Sequence, residues 1–123
     1  MTAPATPTPG VRLLRVLAPV GVLALGWPIA AAFAAGAPLG AEGGEILALA
    51  WGVVTMVDLA LALVLGWAWI AWREASAVRA VVWVAVVAVT GSVGVCAYLA
   101  AAAWRATDVA EVLVGPRRTA HAD

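Results

Sequence analysis

Apolar positions run almost without interruption through three stretches of the chain, at about 13–35, 46–72 and 78–104, and polar residues gather between and beyond them. Each stretch is too long and too apolar for the core of a small soluble domain, so each predicts a membrane-crossing helix. The pattern therefore predicts an all-α integral membrane protein with three transmembrane helices. At ~1.5 Å per residue, the stretch 46–72 exceeds a hydrocarbon core of ~30 Å and is expected to tilt or to project from one face.

The connections refine this picture. The last two helices are separated only by Arg73-Glu74-Ala75-Ser76-Ala77, which predicts a tight helical hairpin with Ser76 capping the helix that follows. Trp69 and Trp72 stand beside Arg73, and Trp83 supplies the same level on the next helix. Trp104 and Arg105 close that helix at the opposite interface, so these six residues read as interfacial anchors. The first helix follows Arg12 and Arg15, carries Pro19 and Pro28, which predict a kink, and ends at Gly36-Ala37-Pro38-Leu39-Gly40. Its small-residue end, with Ala32-Phe33-Ala34, also fits a cleaved secretory signal. The apolar run of about 20 residues exceeds the ~7–15 of a signal core and favours a retained helix. Residues 1–12 read as a disordered leader and 105–123 as a polar, partly disordered tail, within which Asp108 and Glu111 have the spacing of a capping box.

Composition agrees with membrane insertion: 65% of residues are hydrophobic and the mean hydropathy is +1.03. Seven Arg balance seven acidic residues. No basic face is left for nucleic acid, and a nucleic-acid partner is excluded. The absence of Lys, Asn and Gln beside abundant Ala, Val, Gly and Arg fits a GC-rich bacterial genome. Cys96, the single Cys, rules out an internal disulfide, and the single His, His121, lies in the tail, so no haem is held by His between the helices. No phosphate loop, metal-ligand cluster or nucleophile–base set occurs, and no catalytic residue, cofactor or metal is expected. Glu42 and Glu45 are spaced to share a cation, but at a helix start they read better as partners of the helix dipole. Counting Arg beside the spans puts Arg12, Arg15, Arg73 and Arg79 on one side and Arg105 on the other. That predicts a cytoplasmic N-terminus and a C-terminus outside the bacterial inner membrane.

Asp58 is the one charged side chain deep within the middle or last apolar stretch, and an acid at that depth is costly unless it faces protein or water. Counting back from the Arg73–Ala77 turn sets it near Ser92 and Thr90, with Thr55 one turn away on its own helix. Asp58, Thr55, Thr90 and Ser92 thus form a candidate polar layer joined by hydrogen bonds. The structural reading is a protonated Asp58 that fixes the register of the hairpin; the functional reading is a carrier or a subunit contact. Gly91 and Gly94, beside this layer, are the expected site of close helix contact.

These residues also carry a resemblance. Asp58 in the middle helix, Trp69-Ile70-Ala71-Trp72-Arg73-Glu74 at its end, Trp83, Gly91-Ser92-Val93-Gly94, Tyr98-Leu99 and Arg105 resemble a family of small bacterial three-helix membrane proteins known only as a domain of unknown function. The resemblance implies fold and membrane location and lends no reaction. The expected function is a structural or accessory subunit of a membrane complex. Its partners are then the lipid bilayer and either further copies of the chain or other membrane subunits. The alternative is a small homo-oligomeric transporter or proton-linked carrier that uses Asp58.

Overall fold

The computed structural model describes residues 6–115, and among them every regular element is helical. Six helices follow in order: α1 Pro9–Ala34, α2 Leu39–Ala48, α3 Ala50–Arg73, α4 Ala77–Thr90, α5 Ser92–Arg105 and α6 Val109–Val114. Two of them, α1 and α3, are long and apolar enough to cross a membrane. Residues 1–5 of the expected leader, and Arg117, Arg118 and His121 of the expected tail, lie outside the described residues.

α1 starts at Pro9, earlier than the pattern of the chain implied. Pro suits a first helical turn, whose N–H groups have no partner within the helix. The helix then continues through Pro19 and Pro28 to Ala34, where Gly36, at φ 68°, turns the chain. The long middle stretch is split. α2 carries the exposed Glu42 and Glu45, Leu49 is extended at φ −92° and ψ 132°, and α3 begins at Ala50. Gly52 allows this step, because a Cβ there would collide with the carbonyl oxygen of Ile46. At the other end of α3, the backbone is extended at Glu74, and Ser76 caps α4 by accepting the N–H of Arg79 at 3.5 Å.

The third stretch is not one helix. Gly91 adopts φ 61° and ψ −137°, a backbone state closed to other residues without strain, and it reverses the chain between α4 and α5. Each half has 14 residues, so each rises only ~21 Å, short of a ~30 Å core. The reversal folds α5 back along α4. An ideal Cβ on Gly94 would lie 3.1 Å from Val87 Cα and 2.5 Å from Thr90 Oγ1, so the two helices meet at close range there. Gly94→Val is therefore expected to lower stability by about 1–3 kcal/mol through overpacking. Thermal denaturation in detergent would measure this, and an unchanged midpoint would mean that the two helices do not pack so closely.

Directions follow from the contacts. Thr8 N–H donates to Thr107 O at 2.9 Å, Arg15 Nε donates to Ala103 O at 3.0 Å, and a Cβ on Gly21 would meet Cys96 Sγ, so α5 descends antiparallel to α1. α5 runs parallel to α3, with Gly66 beside Val95 and Arg73 beside Tyr98. The start of α1, the end of α3, the start of α4, the end of α5 and all of α6 thus gather at one end of the molecule. Arg12, Arg15, Arg73, Arg79 and Arg105 stand there together, and this is termed the arginine end. Arg105 and Trp104 do not occupy the interface opposite Arg73, because the reversal at Gly91 brings them back. For the same reason the chain leaves α5 towards α6 on the side where α1 begins.

The buried core also sits at this end. Val11, Ala102, Ala103, Ala106 and Val112 pack as one cluster, while Ile70, Val87 and Tyr98 form another with Trp69 and Trp83 against it. Elsewhere large apolar side chains cover the exterior, among them Trp27, Trp51 and Val89.

Candidate functional site

Two places hold polar side chains that the apolar pattern does not explain: the middle of α3 and the arginine end.

On α3, Asp58 is exposed on a strip shared by Trp51, Val54, Leu61 and Leu65, all exposed and spaced three, four or seven residues from it. Its carboxyl group makes no hydrogen bond or ion pair among the described residues. Thr55 Oγ1 donates to Trp51 O at 2.9 Å, and Thr90 Oγ1 donates to Val86 O at 2.7 Å. Both hydroxyls are thus taken up by their own helices, as Thr does within helices. Ser92, half-buried, opens α5 without a side-chain cap bond. The structure does not link Asp58, Thr55, Thr90 and Ser92 into one hydrogen-bonded layer. Of the residues expected at close helix contact, Gly94 lies between α4 and α5, while Gly91 makes the turn.

At the arginine end the side chains interlock. The last turn of α3 carries Arg73 inward, where it is 8% exposed although charged. Its fork is fully used: Nε donates to Val112 O at 2.7 Å, Nη1 donates to Tyr98 OH at 2.9 Å, and Nη2 reaches Glu111 O at 3.4 Å. The Tyr98 hydroxyl accepts from Arg73 and donates to Glu74 Oε1 at 2.6 Å, so it bridges the two charges. Glu74 also pairs with Arg79 Nε at 3.3 Å through Oε2 and lies 3.8 Å from Arg73 Nη1. Trp69 and Trp83 hold the Tyr98 ring edge-on, at centroid distances of 5.4 and 5.0 Å. Trp69 Nε1 donates to Leu113 O at 3.0 Å, so two side chains of α3 fasten α6.

α6 is positioned from both sides. Asp108 caps it by accepting Glu111 N–H at 2.9 Å, and Glu111 Oε2 accepts from the N–H and the hydroxyl of Thr107, at 2.6 and 2.9 Å. Its far end turns at Gly115, φ 68°, where a Cβ would meet Arg73 Cγ. On α1, Arg15 donates to the carbonyls of Ala103, Trp104 and Ala106, which end α5 without helical partners, and it lies 5.1 Å over the Trp104 ring. Trp72 and Trp104 are exposed at this level, whereas Trp69 and Trp83 are half-buried around Tyr98.

Sequence reasoning placed Trp69, Trp72, Arg73, Trp83, Trp104 and Arg105 as anchors but did not join Arg73 to Glu74, Tyr98 and Glu111. The available signal was Tyr98 itself, the one Tyr of the chain, set two helical turns from Arg105 in a segment otherwise apolar and small. Chemically the assembly is a satisfied charge network, since every buried side-chain N or O atom among the described residues has a partner. No group of three or more metal-ligating side chains occurs among those residues.

No curated protein and no solved structure matches the chain. A family model matches residues 5–110, from ahead of α1 into α6, under the description "Protein of unknown function (DUF1475)". That match spans most of the chain, and the protein belongs to this family.

Proposed function

We propose that the protein is a structural or accessory subunit of a complex in the bacterial cytoplasmic membrane, contacting its neighbour through the Asp58 face of α3. Membrane insertion is supported by the length and apolarity of α1 and α3 and by an exterior of exposed Leu, Val and Trp. In this reading α1 and α3 span the bilayer, and α4 and α5 enter from the arginine end to part depth and return. Five Arg at one end, with Glu42 and Glu45 on α2 at the other, favour a cytoplasmic arginine end. The start of α1 and α6 then both lie on the cytoplasmic side.

The observation that carries the interface is Asp58: an acid in the middle of a candidate span, exposed, with no partner among the described residues. In lipid such a group is stabilised only by a partner or by water. A facing helix that hydrogen-bonds Asp58 supplies one, and polar contacts of this kind contribute about 0.6–2 kcal/mol. Extraction of the full chain in a gentle detergent, followed by native mass measurement, should recover a stoichiometric complex. Asp58→Leu should weaken that complex on the order of tenfold, while Asp58→Asn, which still offers hydrogen bonds, should keep it. A monomer with no co-purifying chain would remove this reading. A pure homo-oligomer whose proton-linked flux is abolished by Asp58→Asn would favour the carrier, which requires Asp58 to ionise.

A further inference from the structure

The arginine end contains more than its interlocked network. A cavity of about 290 Å³ opens between α3, α4, α5 and α6, lined by Arg73, Glu74, Arg79, Arg105 and Glu111 with Ala102, Ala106 and Gly115. A second, of about 180 Å³, adjoins it and shares Arg73, Glu74, Arg79 and Arg105, with Tyr98 and Trp83 in its wall. Three guanidiniums face two carboxylates. The carboxylates are engaged within the network: Glu74 accepts from Tyr98 and pairs with Arg79, and Glu111 accepts from Thr107 through Oε2. Arg73 is occupied as well, with all three of its nitrogens engaged.

Apart from Glu111 Oε1, the charged groups lining the cavity that have no hydrogen-bond partner among the described residues are cationic. Arg79 pairs with Glu74 at 3.3 Å from Nε, no hydrogen bond engages its two terminal nitrogens among the described residues, and its side chain is 57% exposed. Arg105 is exposed and has no hydrogen-bond or ion-pair partner among those residues. Two unsatisfied Arg forks on adjacent helices, converging on one cavity, match the geometry that recognises phosphate oxygens. The volume lies at the lower edge of small-molecule sites, ~300–1,000 Å³, enough for a phosphate group and a small substituent but not for acyl chains. Exposed Trp72 and Trp104 at the same end set the level of an interfacial aromatic belt, where lipid phosphates lie.

We propose that this cavity binds a phosphate group, held by Arg79 and Arg105, with the interlocked Arg73 and Glu74 as its fixed wall. The group is either the phosphodiester of an anionic phospholipid or a free phosphate compound. The lipid source rests on the membrane placement proposed above; the phosphate chemistry does not, and neither depends on the Asp58 interface.

The test uses the full chain purified in neutral detergent. Native mass spectrometry counts retained phosphatidylglycerol against phosphatidylcholine, and thermal unfolding is followed with added inorganic phosphate against chloride at equal ionic strength. The wild type should retain phosphatidylglycerol preferentially or be stabilised by phosphate. Arg105→Gln should weaken whichever response occurs by about tenfold, the loss of one charge-assisted hydrogen-bonding partner. Because Arg105 makes no contact that the fold uses, this variant should unfold as the wild type does without ligand. Arg79→Gln should act in the same direction. Arg12→Gln, at the same end but outside the cavity, should leave the response unchanged. Preference for phosphatidylglycerol without a phosphate effect assigns a lipid headgroup, and the converse assigns a soluble phosphate compound. Absence of both responses, or an Arg12→Gln variant that loses as much as Arg105→Gln, overturns the site.

Discussion

Arg73→Ala is expected to destabilise the protein by about 3–5 kcal/mol, the range found when one partner is removed from a buried charge pair. The estimate follows from what the side chain holds. Arg73 is nearly buried, and its nitrogens satisfy Val112 O, Glu111 O and the Tyr98 hydroxyl. Without it, two carbonyls of α6 lose their donors and Glu74 keeps only Arg79 as a counter-ion. The loss should begin locally. α6 is held by Arg73 and Trp69, by its Asp108 cap and by Val112 packed against Val11 and Ala102, so it should detach before the longer helices separate. Denaturant titration in mixed micelles measures the first effect, and faster proteolysis after α5 reports the second. Tyr98→Phe is the milder companion: it deletes the bridging hydroxyl and leaves Arg73 and Glu74 still 3.8 Å apart, so a cost of about 1–2 kcal/mol is expected. If Arg73→Ala unfolds no more easily than Tyr98→Phe, the buried network does not hold this end together.

The stretches that the sequence made plain are those whose signal is local. Nearly uninterrupted apolar composition was enough to find α1 and α3, because an apolar helix longer than ~20 residues with so few charges has few other interpretations. Caps were equally readable, since Ser76 and Asp108 act on an N–H three residues away. The break at Gly91 was not readable in the same way. A Gly inside an apolar run is compatible with a continuous helix, and the run 78–104 has the length of a single span; only packing against α1 and α3 selects the reversal. Once the reversal is missed, everything beyond it falls at the wrong end, which is why Arg105 and Trp104 were expected opposite Arg73. The Arg73–Tyr98–Glu74 network was hidden for the same reason, since Tyr98 meets residues 24 and 25 positions away only after the chain turns back. Asp58 was conspicuous from the start, yet the structure gives its side chain no partner among the described residues. The hydroxyls expected to partner it, Thr55 and Thr90, instead donate to carbonyls of their own helices.

The reversal at Gly91 makes a prediction whose sign decides between the two architectures. In an unbroken helix over 78–104, Gly91→Ala would raise stability by about 0.5–1 kcal/mol, because Ala loses less backbone entropy in a helix interior. In the structure the same substitution places a Cβ on a residue at φ 61° and ψ −137°, where an L residue is strained by about 1–3 kcal/mol. An ideal Cβ there meets nothing within 4 Å, so no steric clash confuses the result and the backbone alone sets the change. Gly91→Ala is therefore expected to destabilise, and Gly91→Val to destabilise further, as denaturant titration in micelles would read. A second measurement follows from geometry. Straightening α4 and α5 would carry Arg105 away from Arg73 by up to ~40 Å, so the bonds from Arg73 to Tyr98 and Val112 cannot survive in that form. A single thiol at the exposed position 113, introduced as Leu113→Cys with Cys96→Ser, should react from the same side of the membrane as a thiol introduced at the exposed Arg12. Stabilisation by Gly91→Ala, together with labelling of position 113 from the opposite side, would replace the reversed pair by a single third span and dissolve the cavity at the arginine end.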